Sequence, residues 1–300
     1  MQGRLSPPVP GRLQAFPILT WEDEFQRARI LGFDAIELVF EEAHIQQNPL
    51  WTREGIAKIR RLSDGSGVRV FSVCLDYLME HPFVRVSQND RRQSISVLNK
   101  IISQSALSGI ERILIPILEF SEIRTKEEKN QVVTSLRECL PVAEAHRVEL
   151  AVETSLSAEE SLQLLEEVGH PFLKIYYDIG NAAALGYDAP LEIRRLGSSI
   201  VGIHVKDRKH LGKSVILGTG DADFHSCFKV LHDIGYGGPY ILQTAMTENY
   251  LGVAKSQLQF VKEQLFSVFQ EANCAEKGTD QGFGADPRTR GIGRHSAQKY

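Results

Sequence analysis

This chain of 300 residues is poor in cysteine, in long apolar runs and in clustered basic charge. Its four cysteines, Cys74, Cys139, Cys227 and Cys274, are scattered, with no C-x-x-C pair. That spacing excludes a disulfide framework and a structural zinc knot, and leaves reduced thiols as the simplest state. No apolar stretch approaches the roughly 18 residues of a membrane span, and the N-terminal M-Q-G-R-L-S-P-P has no apolar signal core. Basic residues occur at most in pairs such as Arg60-Arg61 and Arg91-Arg92, within 34 basic and 38 acidic residues and a net charge of −4. The balance predicts a cytoplasmic protein that binds neither nucleic acid nor membrane. A glycine-rich phosphate turn after the first strand is missing too, which argues against a doubly wound nucleotide fold.

What the chain does have is alternation. Short β-branched runs at 35–40, 68–75, 112–118, 148–153, 173–178, 200–205 and 240–243 read as buried parallel strands. Helical patterns lie among them: Trp21–Leu31, Thr52–Leu62, Asp90–Leu107, Lys126–Ala145, Ala158–Val168, Asp221–Ile234 and Tyr250–Phe269, several stopping at glycine. With an eighth partial strand at Gln2 to Leu5, this repeat predicts an α/β fold, a (β/α)8 TIM barrel, as one domain over residues 1–270. Residues 271–300, with five glycines and nine charged residues and little apolar periodicity, read as a disordered tail.

Barrel enzymes carry their reactive groups where strands end. Here those ends hold Glu37, Asp76, Glu153, Asp178, His204 (in G-I-H-V-K-D-R, 202–208) and Gln243. One acidic residue after a strand is usually a cap or a turn residue; a series on successive strands points to one mouth. Two carboxylates, an imidazole and a further oxygen suit a single divalent ion, Mn²⁺, Mg²⁺, Co²⁺ or Zn²⁺.

Beyond these ends, M-Q-G-R-L-S-P, L-A-V-E-T, Y-Y-D-I-G-N, G-I-H-V-K-D-R, L-G-T-G-D-A-D-F and G-Y-G-G-P-Y-I-L-Q resemble the sugar phosphate isomerase/epimerase family of xylose isomerase-like barrels. The resemblance implies a metal held by Glu153, Asp178, His204 and a fourth position where the family has glutamate and this chain has Gln243. An amide brings no charge and accepts no proton, so a two-base epimerisation would need a substitute from Lys206, Asp207 or Asp76. A one-base isomerisation needs only Glu153, and the lean is toward it.

The implied substrate is a small sugar or sugar phosphate, turned over through an enediolate. Lys206 would reach the developing oxyanion or a phosphate, and Asp207 would assist catalysis. Glu37, Asp76, Asn181 and Arg208 are candidate substrate contacts; capping, strand termination or a solvated loop are their plainer roles. Gln2 and Arg4 could line the barrel floor, and Asp221 or Asp223 the next helix N-cap. An inosose-type dehydratase and a non-catalytic sugar-binding barrel stay open as alternatives, as does a homo-oligomer. An endonuclease IV-like nuclease is disfavoured by the shortage of strand histidines.

Overall fold

The computed structural model describes residues 1–12 and 14–279. Its strands are β1 (Ala35–Val39), β2 (Arg69–Cys74), β3 (Arg112–Ile117), β4 (Glu149–Thr154), β5 (Leu173–Asp178), β6 (Ile200–Val205), β7 (Asp207–Arg208), β8 (Ser214–Val215) and β9 (Tyr240–Leu242). Its helices are α1 (Trp21–Leu31), α2 (Arg53–Ser66), α3 (Tyr77–Glu80), α4 (Gln88–Ser108), α5 (Lys126–His146), α6 (Ala158–Val168), α7 (Ile179–Leu185), α8 (Ala189–Leu196), α9 (Phe224–Asp233) and α10 (Tyr250–Thr279). Strands β1 to β6 and β9 pair in order and in parallel as a seven-stranded sheet, and β7 and β8 form a small antiparallel ribbon. Among the described residues no helix is long and apolar enough to cross a membrane.

The eighth strand is shorter than expected. Among the described residues Met1 and Gln2 alone close the gap: Gln2 N donates to Leu242 O at 3.1 Å, and Glu37 N donates to Met1 O at 3.0 Å. Gly3, at φ 49°, then bends the chain away, a backbone angle that suits glycine. The result is the expected (β/α)8 barrel with one abbreviated strand.

Both faces of the strands are covered, which is why they read as continuous apolar runs. Outside, the helices pack on one large core. Inside, Cys74, Leu114, Ala151, Tyr176 and Ile241 form a second, smaller cluster that fills the barrel. Helix starts follow their caps: Thr52 Oγ1 accepts from Gly55 N, Ser87 Oγ from Asp90 N, and Asp223 Oδ1 from Ser226 N. Asp223, not Asp221, is therefore the N-cap of α9. Helix α10 continues to Thr279, so residues 271–279 of the expected tail are helical, and the rest of that tail lies outside the described residues.

One buried acid on α1 sets a pH dependence. Glu24 is 2% exposed, and its Oε1 accepts from Leu5 N at 3.1 Å. Burial pushes its pKa from the ordinary 4.5 up to about 7, against the pull of the Leu5 N–H and the Ser6 hydroxyl. Between those two values the folded state keeps a proton that the unfolded state gives up, so stability falls as pH rises and the whole cost is present above pH 7. That cost is about 3 kcal/mol. Glu24→Gln is expected to raise the urea midpoint clearly at pH 8 and hardly at pH 4.5. Parallel midpoint curves for the two proteins across that range would contradict the assignment.

Candidate metal centre

Side chains alternate between the two faces of a strand, so residues two apart share a face. Ala151, Tyr176 and Ile241 belong to the inner cluster. Glu153, Asp178 and Gln243 each stand two residues further on, one pleat nearer the C-terminal mouth. His204 on β6 is in register with Asp178 on one side and Ile241 on the other, and it faces inward with them.

Glu153, Asp178 and His204 are all buried, and each offers a ligand atom within 4.8 Å of the others. His204 Nδ1 lies 3.7 Å from Glu153 Oε2 and 3.8 Å from Asp178 Oδ2. Two ligands at about 2.1 Å from one ion can be no more than about 4.2 Å apart, so these separations fit a shared cation. They are too long for hydrogen bonds. Among the described residues, His204 Nδ1, Asp178 Oδ2 and Gln243 Oε1 are indeed buried without a hydrogen-bond partner. Buried polar atoms without hydrogen bonds cost free energy unless something binds them, and of the three Asp178 Oδ2 has the Lys206 ammonium as a charged neighbour at 3.4 Å. The residues present fit a divalent ion with mixed oxygen and nitrogen donors.

The surrounding side chains orient these donors. His204 Nε2 lies 2.8 Å from Glu37 Oε1 and donates to it, which leaves Nδ1 as the lone-pair nitrogen once the proton on that atom is displaced. Glu37 Oε2 also accepts from Tyr176 OH at 2.8 Å and from the Ser72 hydroxyl. Asn181 Nδ2 donates to Glu153 Oε1 at 2.8 Å, and Asn181 N to Asp178 Oδ1 at 2.8 Å, so one residue at the start of α7 aligns both carboxylates. Arg208 Nη1 donates to Asn181 Oδ1 at 2.9 Å and holds that amide in turn.

Charge is tightly coupled here. Burial opposes protonation of His204, but Glu37 and Glu153 outweigh it and push its pKa up to about 10. Burial also works against ionising Glu153, yet His204 and Lys206 hold it below the usual carboxylate range. For Asp178 burial prevails, helped by the neighbouring Glu153 charge, and its pKa is raised. Lys206 Nζ stands 3.4 Å from Asp178 Oδ2.

Several expected roles change. Asp207 is not part of the mouth: its carboxylate accepts from Gly218 N at 2.9 Å, Gly220 N at 2.7 Å and Ala222 N at 3.2 Å, and so anchors the 218–222 loop. Glu37, expected to meet sugar hydroxyls, is fully buried behind His204 and has no oxygen to spare. Arg208, besides holding Asn181, is tied through Nε and Nη2 to Gly212 O, so it braces the site instead of facing it. Asp76 accepts from Gln14 Nε2 at 2.6 Å and from the Cys74 thiol at 3.1 Å, and caps no helix with its side chain. Gln2 and Arg4, expected at the floor, belong to the mouth, where Gln243 Nε2 donates to Gln2 Oε1 at 2.7 Å. A separate cavity of about 770 Å³ opens at the opposite rim, lined by Ala35, Arg69, Arg112, Ile200 and Tyr240 where strands begin, away from these donors.

Residues 25–264 match the family described as Xylose isomerase-like TIM barrel. The chain belongs to that family. Among relatives of this xylose isomerase-like barrel, the L-ribulose-5-phosphate 3-epimerase UlaE of Escherichia coli O157:H7 (strain EC4115 / EHEC) is 30% identical over 231 residues, 74% of this chain and 81% of its own. Solved structures repeat the fold. A xylose isomerase domain protein from Planctomyces limnophilus superposes with a TM-score of 0.69 at 22% identity, over 83% of this chain and 93% of that one. D-psicose 3-epimerase from Clostridium cellulolyticum H10, crystallised with D-tagatose, gives 0.70 at 16% identity, over 88% and 98%.

Tyr176, Ser72 and Gln14 also belong to the site, although none stood among the candidates drawn from the strand ends. Tyr176 had a signal, since it stands two residues before Asp178 and therefore on the same inner face. Gln14 had none, because it sits in an irregular segment whose path only the fold defines.

Proposed function

We propose that the protein is a divalent-metal-dependent epimerase or isomerase of a small sugar or sugar phosphate, working in the cytoplasm with one metal ion. The observation that carries this reading is the convergence of Asp178 Oδ2, His204 Nδ1 and Gln243 Oε1, buried without hydrogen-bond partners among the described residues, beside Glu153 and Lys206, in a family with a relative named a 3-epimerase. Glu153, Asp178, His204 and Gln243 would hold the ion. When bound, it supplies positive charge that acidifies the C–H beside a carbonyl.

The chain's own residues supply the rest. Asn181 donates to Glu153 Oε1 and sets the plane of the carboxylate, while Oε2 faces His204 and the ion position; the carboxylate, kept ionised by His204 and Lys206, takes the carbon-bound proton. Lys206, on the Asp178 side of the mouth, brings the ammonium charge that stabilises the enediolate. Gln243 can hold the ion through its amide oxygen but cannot carry a proton.

The fate of that proton separates two readings. Inversion at carbon, suggested by the relative's name, needs an acid other than Glu153 and brings in a solvent proton. Migration of the carbonyl, suggested by Gln243, lets Glu153 return part of the original proton on the same face.

The test is turnover of pentuloses and hexuloses, free and phosphorylated, in D₂O. EDTA treatment should lower turnover at least 100-fold, with recovery on adding Mn²⁺, Co²⁺, Mg²⁺ or Zn²⁺. Full deuteration at one carbon of the product marks epimerisation, and partial retention of substrate hydrogen on the neighbouring carbon marks isomerisation. Undiminished turnover after complete metal removal would overturn the reading, and so would the absence of carbon-bound proton exchange with every such sugar.

A further inference from the structure

A carboxylate presents the same atom on both sides, whereas an amide has an oxygen that can hold a cation and a nitrogen that repels one. Gln243 therefore raises a question of orientation. Its Nε2 donates to Gln2 Oε1 at 2.7 Å and to Gln14 Oε1 at 3.0 Å, so both amide hydrogens are used and Oε1 remains, buried and without a hydrogen-bond partner among the described residues.

Each acceptor is itself held from behind by a group of fixed character. Gln14 Nε2 donates to Asp76 Oδ2 at 2.6 Å, and an ionised carboxylate can only accept. The other Asp76 oxygen takes the Cys74 thiol at 3.1 Å. Gln2 Oε1 receives Arg4 Nη1 at 3.2 Å, and a guanidinium can only donate. Arg4 is fixed in its turn by Nε to Thr244 O at 2.7 Å.

Turning Gln14 would set its oxygen against the Asp76 carboxylate. Turning Gln2 would set its nitrogen against the donors of both Arg4 and Gln243. Gln2 keeps its orientation even though its own Nε2 is left buried without a partner. The polarity of the three amides is thus determined from both ends.

We propose that Asp76 and Arg4 are positioning residues that fix, through Gln14 and Gln2, which way the Gln243 amide faces, so that its oxygen is presented to the dication. This rests on the metal-site reading above. It makes glutamine at 243 part of a built network, in which a carboxylate at that position would meet two amide oxygens.

The experiment measures Mn²⁺ affinity of EDTA-stripped protein by calorimetry at pH 8, above the value of about 6 to which burial raises Asp76. Asp76→Asn is expected to weaken Mn²⁺ binding about 10- to 100-fold, the range typical of residues that orient a metal ligand. Gln243→Glu alone should gain little or lose affinity, because its oxygens face Gln2 Oε1 and Gln14 Oε1. Adding Asp76→Asn to Gln243→Glu frees Gln14 to turn and donate, and should raise affinity about 10-fold over Gln243→Glu alone.

The sign of the Asp76→Asn effect therefore reverses between the two backgrounds, which a merely structural role for Asp76 would not produce. Weakening of similar size in both backgrounds, or no effect in either, overturns the relay while leaving the metal reading in place. Failure of the unsubstituted protein to bind Mn²⁺ at all overturns the metal reading and the relay with it.

Discussion

Glu153→Gln is expected to lower turnover about 10³-fold without unfolding the barrel, within the range general-base groups contribute. The substitution keeps the volume of a side chain that is 4% exposed, and its amide oxygen can still accept from Asn181 Nδ2. What then faces His204 and Asp178 is an NH₂ group, which neither takes a proton nor holds a cation. Dication affinity should fall together with turnover.

Lys206→Met gives the contrasting pattern. It keeps an apolar stem against Gly180, removes the ammonium beside Asp178 Oδ2, and lowers turnover about 10²-fold. Dication affinity should hold or rise, because a competing cation has gone. The pair is measured by steady-state kinetics and calorimetry on the same preparations. Glu153→Gln retaining more than a tenth of the parent turnover would remove Glu153 from its role as base.

The contrast between Lys206 and Asp207 also shows how far the sequence can be read. Neighbouring residues past a strand end point to opposite sides, so His204 and Lys206 share the inner face and Asp207 falls on the other. That parity was legible in G-I-H-V-K-D-R, and it separates a mouth residue from a loop anchor. The barrel was legible for a similar local reason, because strands covered on both faces must be apolar throughout.

Helix α8 was not legible. It is short, lies between Gly186 and Gly197 and has Pro190 in its first turn, so it reads as a loop although proline suits that position. The role of Glu37 was out of reach for another reason. Its partners Ser72, Tyr176 and His204 come from three other strands, and only the closed barrel brings them to one carboxylate. The same holds for Gln14 and Asp76, which no spacing along the chain relates to Gln243.

Gly202→Ala is expected to destabilise the protein by about 3 kcal/mol and to abolish tight dication binding, although residue 202 offers no ligand. A Cβ at Gly202 would lie 2.3 Å from a ring carbon of Tyr176. That ring crosses the barrel interior, 1% exposed, with its centroid 4.7 Å from that of His204 and its hydroxyl 2.8 Å from Glu37 Oε2. Moving the ring aside withdraws a donor from a fully buried carboxylate, and that carboxylate grips His204 Nε2 at 2.8 Å.

Packing and site geometry therefore fail together in the single variant, and a second substitution separates them. Tyr176→Leu combined with Gly202→Ala relieves the overlap but does not restore the donor to Glu37, so the melting temperature should recover in part while dication affinity stays low. Thermal melts and chelator competition on the parent, the single and the double variants measure both quantities. A Gly202→Ala protein with the parent melting temperature would mean that the inner face has room the Tyr176 ring does not fill. Recovery of dication affinity in the double variant would mean that His204 is held without the Glu37 and Tyr176 pair.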